Sequence, residues 1–465
     1  MYYESMVETW LKDHKLKTPE MQNEPAFYRN LEQRLDTLRA EHKLLTAKPR
    51  WDTPMVDFAS NDILSLSRTG RIREAFLQEI SRHENWNLSA GGSRLQNGNY
   101  NYILEVEREM AEFFGSETAF FGNSGFLCNA GITGCVALPG DCYVFDELVH
   151  ASAHEGMKLG RASHKVSFRH NDVNSLRETL TNLRETHAEF KLGTQSILIL
   201  IESIYSMNGD VCPLEEFVHV AKQVFPLGNA QFIIDEAHSV GVLGPHGRGL
   251  VSMLGLEKEI AIRVHVCSKA MASTGGVILC NKTVRSLMMN QMRFAVYSGA
   301  PSFPMVASAR AGLQLFRSGG THEEQERIQK TISYFFKRLT SKPDWQQAVA
   351  AGLLSCPVAE GWEQRQFHAH IIPIRTRPRH EQYLFFHNML ANIMAYNFAY
   401  PVVPKGESRI RIVVHAHNTE DDVDKLVASI CQWAHEMLDL EKCGSNNTLP
   451  SAASKVFASQ AAVKA

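Results

Sequence analysis

Two ionisable residues stand at the ends of apolar runs, where a charge is not normally placed. The stretch "AQFIIDEAHSVGVLGPHGRG" closes its apolar run on Asp235, and "IRVHVCSKAMASTGG" sets Lys269 between a strand-like run and a turn of small residues. Burying either charge without a partner is costly, so each is a solvated turn residue or a group with a chemical role. For the lysine that role is a reactive amine that gives up its charge. For the aspartate it is a charge-assisted hydrogen bond to a cationic ring nitrogen, at the strand end where open α/β sheets hold ligands.

Singly, such residues are more often a surface lysine and a helix-capping acid. Together, 34 residues apart and each just past a strand end, they supply the two parts of a pyridoxal phosphate site: an amine for the aldehyde and an acid that keeps the pyridine nitrogen protonated. Two further stretches fit. In "FGNSGFLCNAG" a strand meets a helix through small residues, and N–H groups of Ser124, Gly125 and Phe126 at such a helix start bind phosphate. In "VFDELVHASAHEG" His150 opens a helix after a strand. A lone histidine is commonly a core or surface residue, yet a flat ring there would stack on a cofactor.

A sheet must hold these groups. Strands are predicted at 118–122, 141–145, 165–169, 196–203, 230–237, 262–267 and 276–280, with helical patterns such as "LEVEREMAEFFG" and "LEEFVHVAKQVF" between most of them. Short apolar runs separated by crossover helices give an α/β fold with a mostly parallel seven-stranded sheet covered on both faces. A helix over about 25–45 leads into a short strand at "MVDFAS". Helices are predicted at about 302–317 and 322–341, followed by strands near "FHAHIIPIR" and "SRIRIVVH" and helices at about 380–395 and 419–437. The expected divisions are an N-terminal helical arm and strand (1–60), a large domain (61–317), a smaller α+β C-terminal domain (318–440) and a tail (441–465) whose Ser, Ala and Asn content reads as disordered.

The 465 residues carry 48 Lys+Arg against 50 Asp+Glu, a net charge of -2, so no global field draws the chain to nucleic acid or anionic lipid. Nine cysteines without a C-x-x-C pair read as reduced thiols, implying a cytoplasmic or organelle-matrix setting. No run reaches the roughly 18 apolar residues of a membrane span, and the N-terminus lacks an apolar secretory stretch. Nucleotide-binding glycine motifs are absent. The H-x-H pairs at 368/370 and 415/417 lie on strand patterns as core or surface histidines, and no metal is expected there.

The motifs "DFASND", "AGGSRLQNG", "GNSGF", "HAS", "HND", "ESIYSMNGD", "DEAHSVGVLGPHGRG", "CSKAMASTGG", "YSGAPSF" and "SRIRI" occur in one order over roughly residues 50 to 437. In this the chain resembles the α-oxoamine synthases, fold-type I pyridoxal phosphate enzymes that include 8-amino-7-oxononanoate synthase and serine palmitoyltransferase. The resemblance implies that Lys269 binds the cofactor aldehyde, Asp235 its ring nitrogen, and Ser124, Gly125 and Phe126 its phosphate. It implies that His238 and Ser206 hydrogen-bond near the phenolic oxygen, that His150 stacks on the ring, and that Ser268 lies at the cofactor. Arg411 would anchor the amino-acid carboxylate, with Arg409, read as facing the opposite side of its strand, as the fallback. Asn61 and Ser93 would lie near the substrate. Family members form homodimers with shared active sites.

Departures from the family pattern point to a specialised member. Val266 stands where a phosphate-binding threonine is usual, leaving Ser268, Ser273, Thr274 or the partner subunit's "YSGAPS" segment as replacements. Ile63 replaces a tyrosine and Ile103 a histidine, while Ser93 replaces the threonine of the aminolevulinate branch and would admit alanine, serine or an aminomalonate-type donor beyond glycine. The expected activity is decarboxylative condensation of an amino acid with an acyl thioester, carried by coenzyme A or an acyl carrier protein, in a polyketide-type pathway. Alternatives are biotin-pathway 8-amino-7-oxononanoate synthase, a pyridoxal phosphate aminotransferase or lyase, and a non-catalytic subunit.

Overall fold

The computed structural model describes residues 15–41, 44, 55–443 and 449–456; the extreme N-terminus and the end of the expected tail lie outside them. Seven strands form the large sheet: β1 (Thr118–Gly122), β2 (Cys142–Asp146), β3 (His164–Phe168), β4 (Ile197–Glu202), β5 (Ala230–Asp235), β6 (Ile262–Val266) and β7 (Gly276–Cys280). Their order is β1-β7-β6-β5-β4-β2-β3, and β7 runs antiparallel to both of its neighbours. The other pairings are parallel. Strand β4 is buried along its whole length, as a continuous apolar run covered on both faces must be.

The helices that matter for the site start where the strands end. β1 leads through Ser124 into α1 (Gly125–Cys135), and β2 leads through His150 into α2 (Ala151–Leu159). Gly156 lets these helices touch: a Cβ there would fall 1.9 Å from Thr133 Oγ1 and 2.4 Å from the Ala130 carbonyl. That close approach draws His150 to Phe126, with ring centroids 6.1 Å apart.

Two long helices, α3 (Phe303–Arg317) and α4 (His322–Thr340), precede a smaller antiparallel sheet. Its strands are β8 (Leu354–Ser355), β9 (Ile371–Thr376), β10 (Tyr396–Phe398) and β11 (Arg409–Val413), in the order β10-β11-β9-β8. The helix expected over 380–395 stops at Leu390, and Ile393–Met394 pair in parallel with Val56–Asp57. The strand expected at "MVDFAS" is therefore two residues long. Backbone bonds from Val413 to Phe58 (2.8 Å) and from Ala416 to Ile63 (2.9 Å) carry the 55–63 segment onto the small sheet.

The expected disordered tail is corrected in part. Residues 451–456 are helical, with Ala452, Ala453 and Val456 buried against Phe386. Small apolar residues at helical spacing gave the segment a face to bury, which its composition concealed. The nine cysteines are unpaired, and eight are buried. Among the described residues no helix is long and apolar enough to cross a membrane.

Candidate active site

Lys269 sits in a turn just beyond β6, fixed by backbone bonds from Cys267 N to Gly275 O (3.1 Å) and from Ala272 N to Lys269 O (2.8 Å). Its Nζ lies 2.8 Å from His238 Nε2. Burial brings the amine down to about 8, with Asp235 and Glu202 pulling it up and Arg411 pushing it further down. His238 is 3% exposed, and burial, followed by the charges of Lys269 and Arg411, holds its imidazole well below the ordinary histidine range. The pair is thus a neutral imidazole against an amine poised to lose its proton near neutrality.

Asp235 ends β5 with both oxygens engaged: Oδ2 accepts from Asn129 Nδ2 at 2.6 Å and Oδ1 from the Ala237 N–H at 2.8 Å. These bonds fix the orientation of the carboxylate. Beside it on β4, Glu202 is the register partner of Asp235. Glu202 is buried and its Oε1 has no partner. Burial, then the charge of Asp235, raises its carboxyl well above the usual range, which favours its protonated form.

At the start of α1 the Ser124 hydroxyl accepts from the Leu127 N–H at 3.2 Å, leaving the N–H groups of the first turn directed outward. Gly125 is imposed by β6: a Cβ would lie 2.2 Å from Val266 Cγ2. The methyl groups of Val266 therefore pack directly beneath the helix start, where the family pattern has a hydroxyl. Ser273 and Thr274 instead bond the Ser308 hydroxyl, at 2.8 and 3.2 Å. His150 caps α2, its Nδ1 accepting from the Ser152 N–H at 3.2 Å and lying 2.7 Å from Ser152 Oγ. Burial, and secondarily Lys269 against the pull of Asp235, lowers its pKa.

Arg411 and Arg409 both lie on β11, and residues two apart share a strand face, so the expected opposite orientation of Arg409 is corrected. Both guanidinium groups reach the loop after β4: Arg411 Nε donates to the Ser206 carbonyl at 2.6 Å, and Arg409 Nη1 donates to Asn208 Oδ1 and to the Met207 carbonyl. What separates them is charge pairing. Arg409 is bonded to Glu407 at 2.8 Å, whereas Arg411, 7% exposed, has no carboxylate partner among the described residues. Burial alone lowers Arg411 to about 10, as expected of a cation awaiting an anion.

Ser206 accepts from Arg411 through its carbonyl at 2.6 Å, and its hydroxyl makes no hydrogen bond among the described residues, leaving it available to a ligand. Ser93 is buried with its hydroxyl unpartnered, in a bridge to Gly299. Asn61 and Ser268 are exposed. Sequence reasoning missed Asn129, Glu202 and His370. Asn129 lay inside a quoted motif as a polar residue in an apolar helix. His370, fully buried, has its Nε2 3.4 Å from His238 Nδ1.

These residues fit pyridoxal phosphate. An amine with a lowered pKa, a fixed carboxylate and a helix start kept free of side-chain bulk match its aldehyde, ring nitrogen and phosphate. The sequence profile of the family "Aminotransferase class I and II" matches residues 53–430. The chain is 48% identical over 455 residues to aminoacyl transferase sphA of Aspergillus fumigatus, covering 97% of each. It is 36% identical over 391 residues to 8-amino-7-oxononanoate synthase of Emericella nidulans, covering 82% of this chain and 90% of that one. A solved serine palmitoyltransferase with pyridoxal phosphate superposes with a TM-score of 0.72 at 22% identity, covering 87% of this chain and 98% of the other, a likeness of fold. The chain therefore belongs to the aminotransferase class I and II family and, within it, is a pyridoxal phosphate-dependent transferase of the α-oxoamine synthase type.

Proposed function

We propose that the protein condenses an amino acid with an acyl thioester, with loss of carbon dioxide, to form an α-amino ketone, and that it does so in a specialised, polyketide-type pathway. The observation that carries this reading is a buried, unpaired guanidinium, Arg411, sharing a site with an amine whose pKa is near 8. Arg411 holds the amino-acid carboxylate through a fork of donors, and Lys269 takes the Cα proton. Bound pyridoxal phosphate supplies the electron-withdrawing ring that makes that C–H acidic. The Cα–acyl bond forms as the C–S bond breaks and the thiol leaves. Carbon dioxide then departs, and a proton returns to Cα.

Asp235 keeps the ring nitrogen protonated, fixed by Asn129 and the Ala237 amide. His150 covers one ring face, His238 donates near the phenolic oxygen, and the Ser124 to Phe126 backbone holds the phosphate. Ser93, whose buried hydroxyl has no partner, is smaller than a threonine and admits donors with a side chain, and Asn61 borders them. Exposed Phe126, Leu95 and Tyr297, the last 81% exposed, fringe these segments and support a homodimer in which the partner covers the site. The carrier is coenzyme A or an acyl carrier protein. The greater identity to an aminoacyl transferase than to an 8-amino-7-oxononanoate synthase favours the specialised role over biotin synthesis.

Incubating the purified protein with glycine, alanine, serine and aminomalonate against acyl-CoA and acyl-carrier thioesters, with product masses and released carbon dioxide as readouts, tests the reading. Thioester-dependent carbon dioxide release with an α-amino ketone product is expected. Amino transfer to a keto acid without carbon dioxide would refute it.

A further inference from the structure

His164, His187 and Glu189 lie apart from all of this machinery. His164 opens β3, the edge strand, opposite Cys142 at the start of β2, so it stands at the other end of the sheet from Asp235 and Lys269. The helix Val173–Thr186 follows β3 in the chain. That helix is closed by His187, whose N–H donates to the Leu183 carbonyl at 3.1 Å, and Glu189 follows in the next turn.

We infer that these three side chains form a binding site for one divalent ion of borderline softness, Zn2+ foremost, which clamps the edge strand to the end of helix Val173–Thr186. One ligand atom from each residue lies within 4.8 Å of the other two. The imidazole rings are 4.6 Å apart, and His187 Nδ1 is 3.4 Å from Glu189 Oε1. Fully buried Phe190 packs edge-on against both rings and fixes their floor. The Glu189 carbonyl accepts from Thr194 N at 3.0 Å and Gln195 N at 3.3 Å, which anchors the turn. Among the described residues the His164 ring makes no hydrogen bond, so its nitrogens are free to ligate; its backbone N–H donates to the Asp141 carbonyl at 3.3 Å.

Tetrahedral zinc at about 2.0–2.1 Å from nitrogen and oxygen sets its ligands about 3.3 Å apart. The three atoms must therefore close by up to about 1.5 Å. All three side chains are only half-buried, so side-chain rotation supplies that movement. Two imidazoles and one carboxylate select Zn2+, Ni2+ or Cu2+ over Mg2+ and Ca2+, which require oxygen cages. The fourth position is left to water. No motif signals the site because 23 residues separate its histidines. An edge strand is the element with most to gain from such a clamp, since one side of it lacks a neighbour.

The test uses the holoenzyme, treated with EDTA and dialysed, then titrated with ZnCl2 by calorimetry and followed by thermal unfolding, with MgCl2 as the control. One saturable Zn2+ site and a rise in Tm of a few degrees at roughly hundredfold excess over Kd are expected, with no response to Mg2+. His164→Ala and Glu189→Gln should each weaken binding at least tenfold while leaving cofactor absorbance and kcat unchanged. Glu189→Gln preserves side-chain shape and keeps the test decisive should His164→Ala fail to fold. Absence of saturable binding, or wild-type affinity in the variants, overturns the inference.

Discussion

In the cofactor-free protein, Lys269→Met should increase stability at neutral pH. The lysine's amine falls from an ordinary 10.5 to about 8 on folding, and 2.5 units at 1.36 kcal/mol each cost about 3.4 kcal/mol wherever both states are protonated. Methionine removes that cost but also loses the bond to His238, worth about 1 kcal/mol. A net gain of about 2 kcal/mol is expected at pH 7. A folded-state pKa below the unfolded one means the cost is fully present below pH 8 and disappears as pH rises to 10.5. At pH 10 it has fallen to about 0.8 kcal/mol, so variant and wild type should be nearly equal. Urea unfolding of both proteins at pH 7 and pH 10 measures the two differences. Equal stability at pH 7, or an advantage undiminished at pH 10, would refute the claim that the fold holds this amine close to neutral.

Three further outcomes follow from the same structure. His170 bonds Asp146 at 2.9 Å and also Asp210, and these bonds overcome burial to raise it to about 10. Its contribution is complete below about pH 6.5 and lost as pH rises through 10, so His170→Gln should cost on the order of 3 kcal/mol at pH 6 and little above pH 10, by urea titration. Val266→Thr restores a hydroxyl beneath Gly125 and should tighten pyridoxal phosphate binding about fivefold, the worth of one hydrogen bond, in equilibrium dialysis; unchanged affinity would remove Val266 from the phosphate site. Arg411→Lys should raise KM for the amino acid roughly 10- to 100-fold with little change in Tm, whereas Arg409→Lys, which disturbs the bonds to Glu407 and Asn208, should lower Tm first.

The large sheet was legible because most of its strands are short apolar runs bounded by turn residues, and "SILILIES" or "IRVHVC" can bury both faces only in such a sheet. Direction was not legible. Nothing in "GVILC" distinguishes the antiparallel β7 from a parallel strand, since alternation and apolarity read the same either way. The two-residue strands at 56–57 and 393–394 fall below any periodic signal, because their pairing is decided by tertiary contacts. In the site, Lys269 and Asp235 stood out as charges at the ends of apolar runs. Glu202 ends such a run too, but only its register beside Asp235 makes its proton matter. Arg411 and Arg409 are indistinguishable in "SRIRI", and the choice between them rests on Glu407, which pairs with one and leaves the other free.

The central claim is that one amine, Lys269, carries the cofactor. Reconstituting the protein with pyridoxal phosphate, reducing it with borohydride and mapping its peptides by mass should place a single pyridoxyl adduct on Lys269, absent from Lys269→Met. An adduct on any other lysine, or none at all, would contradict the account.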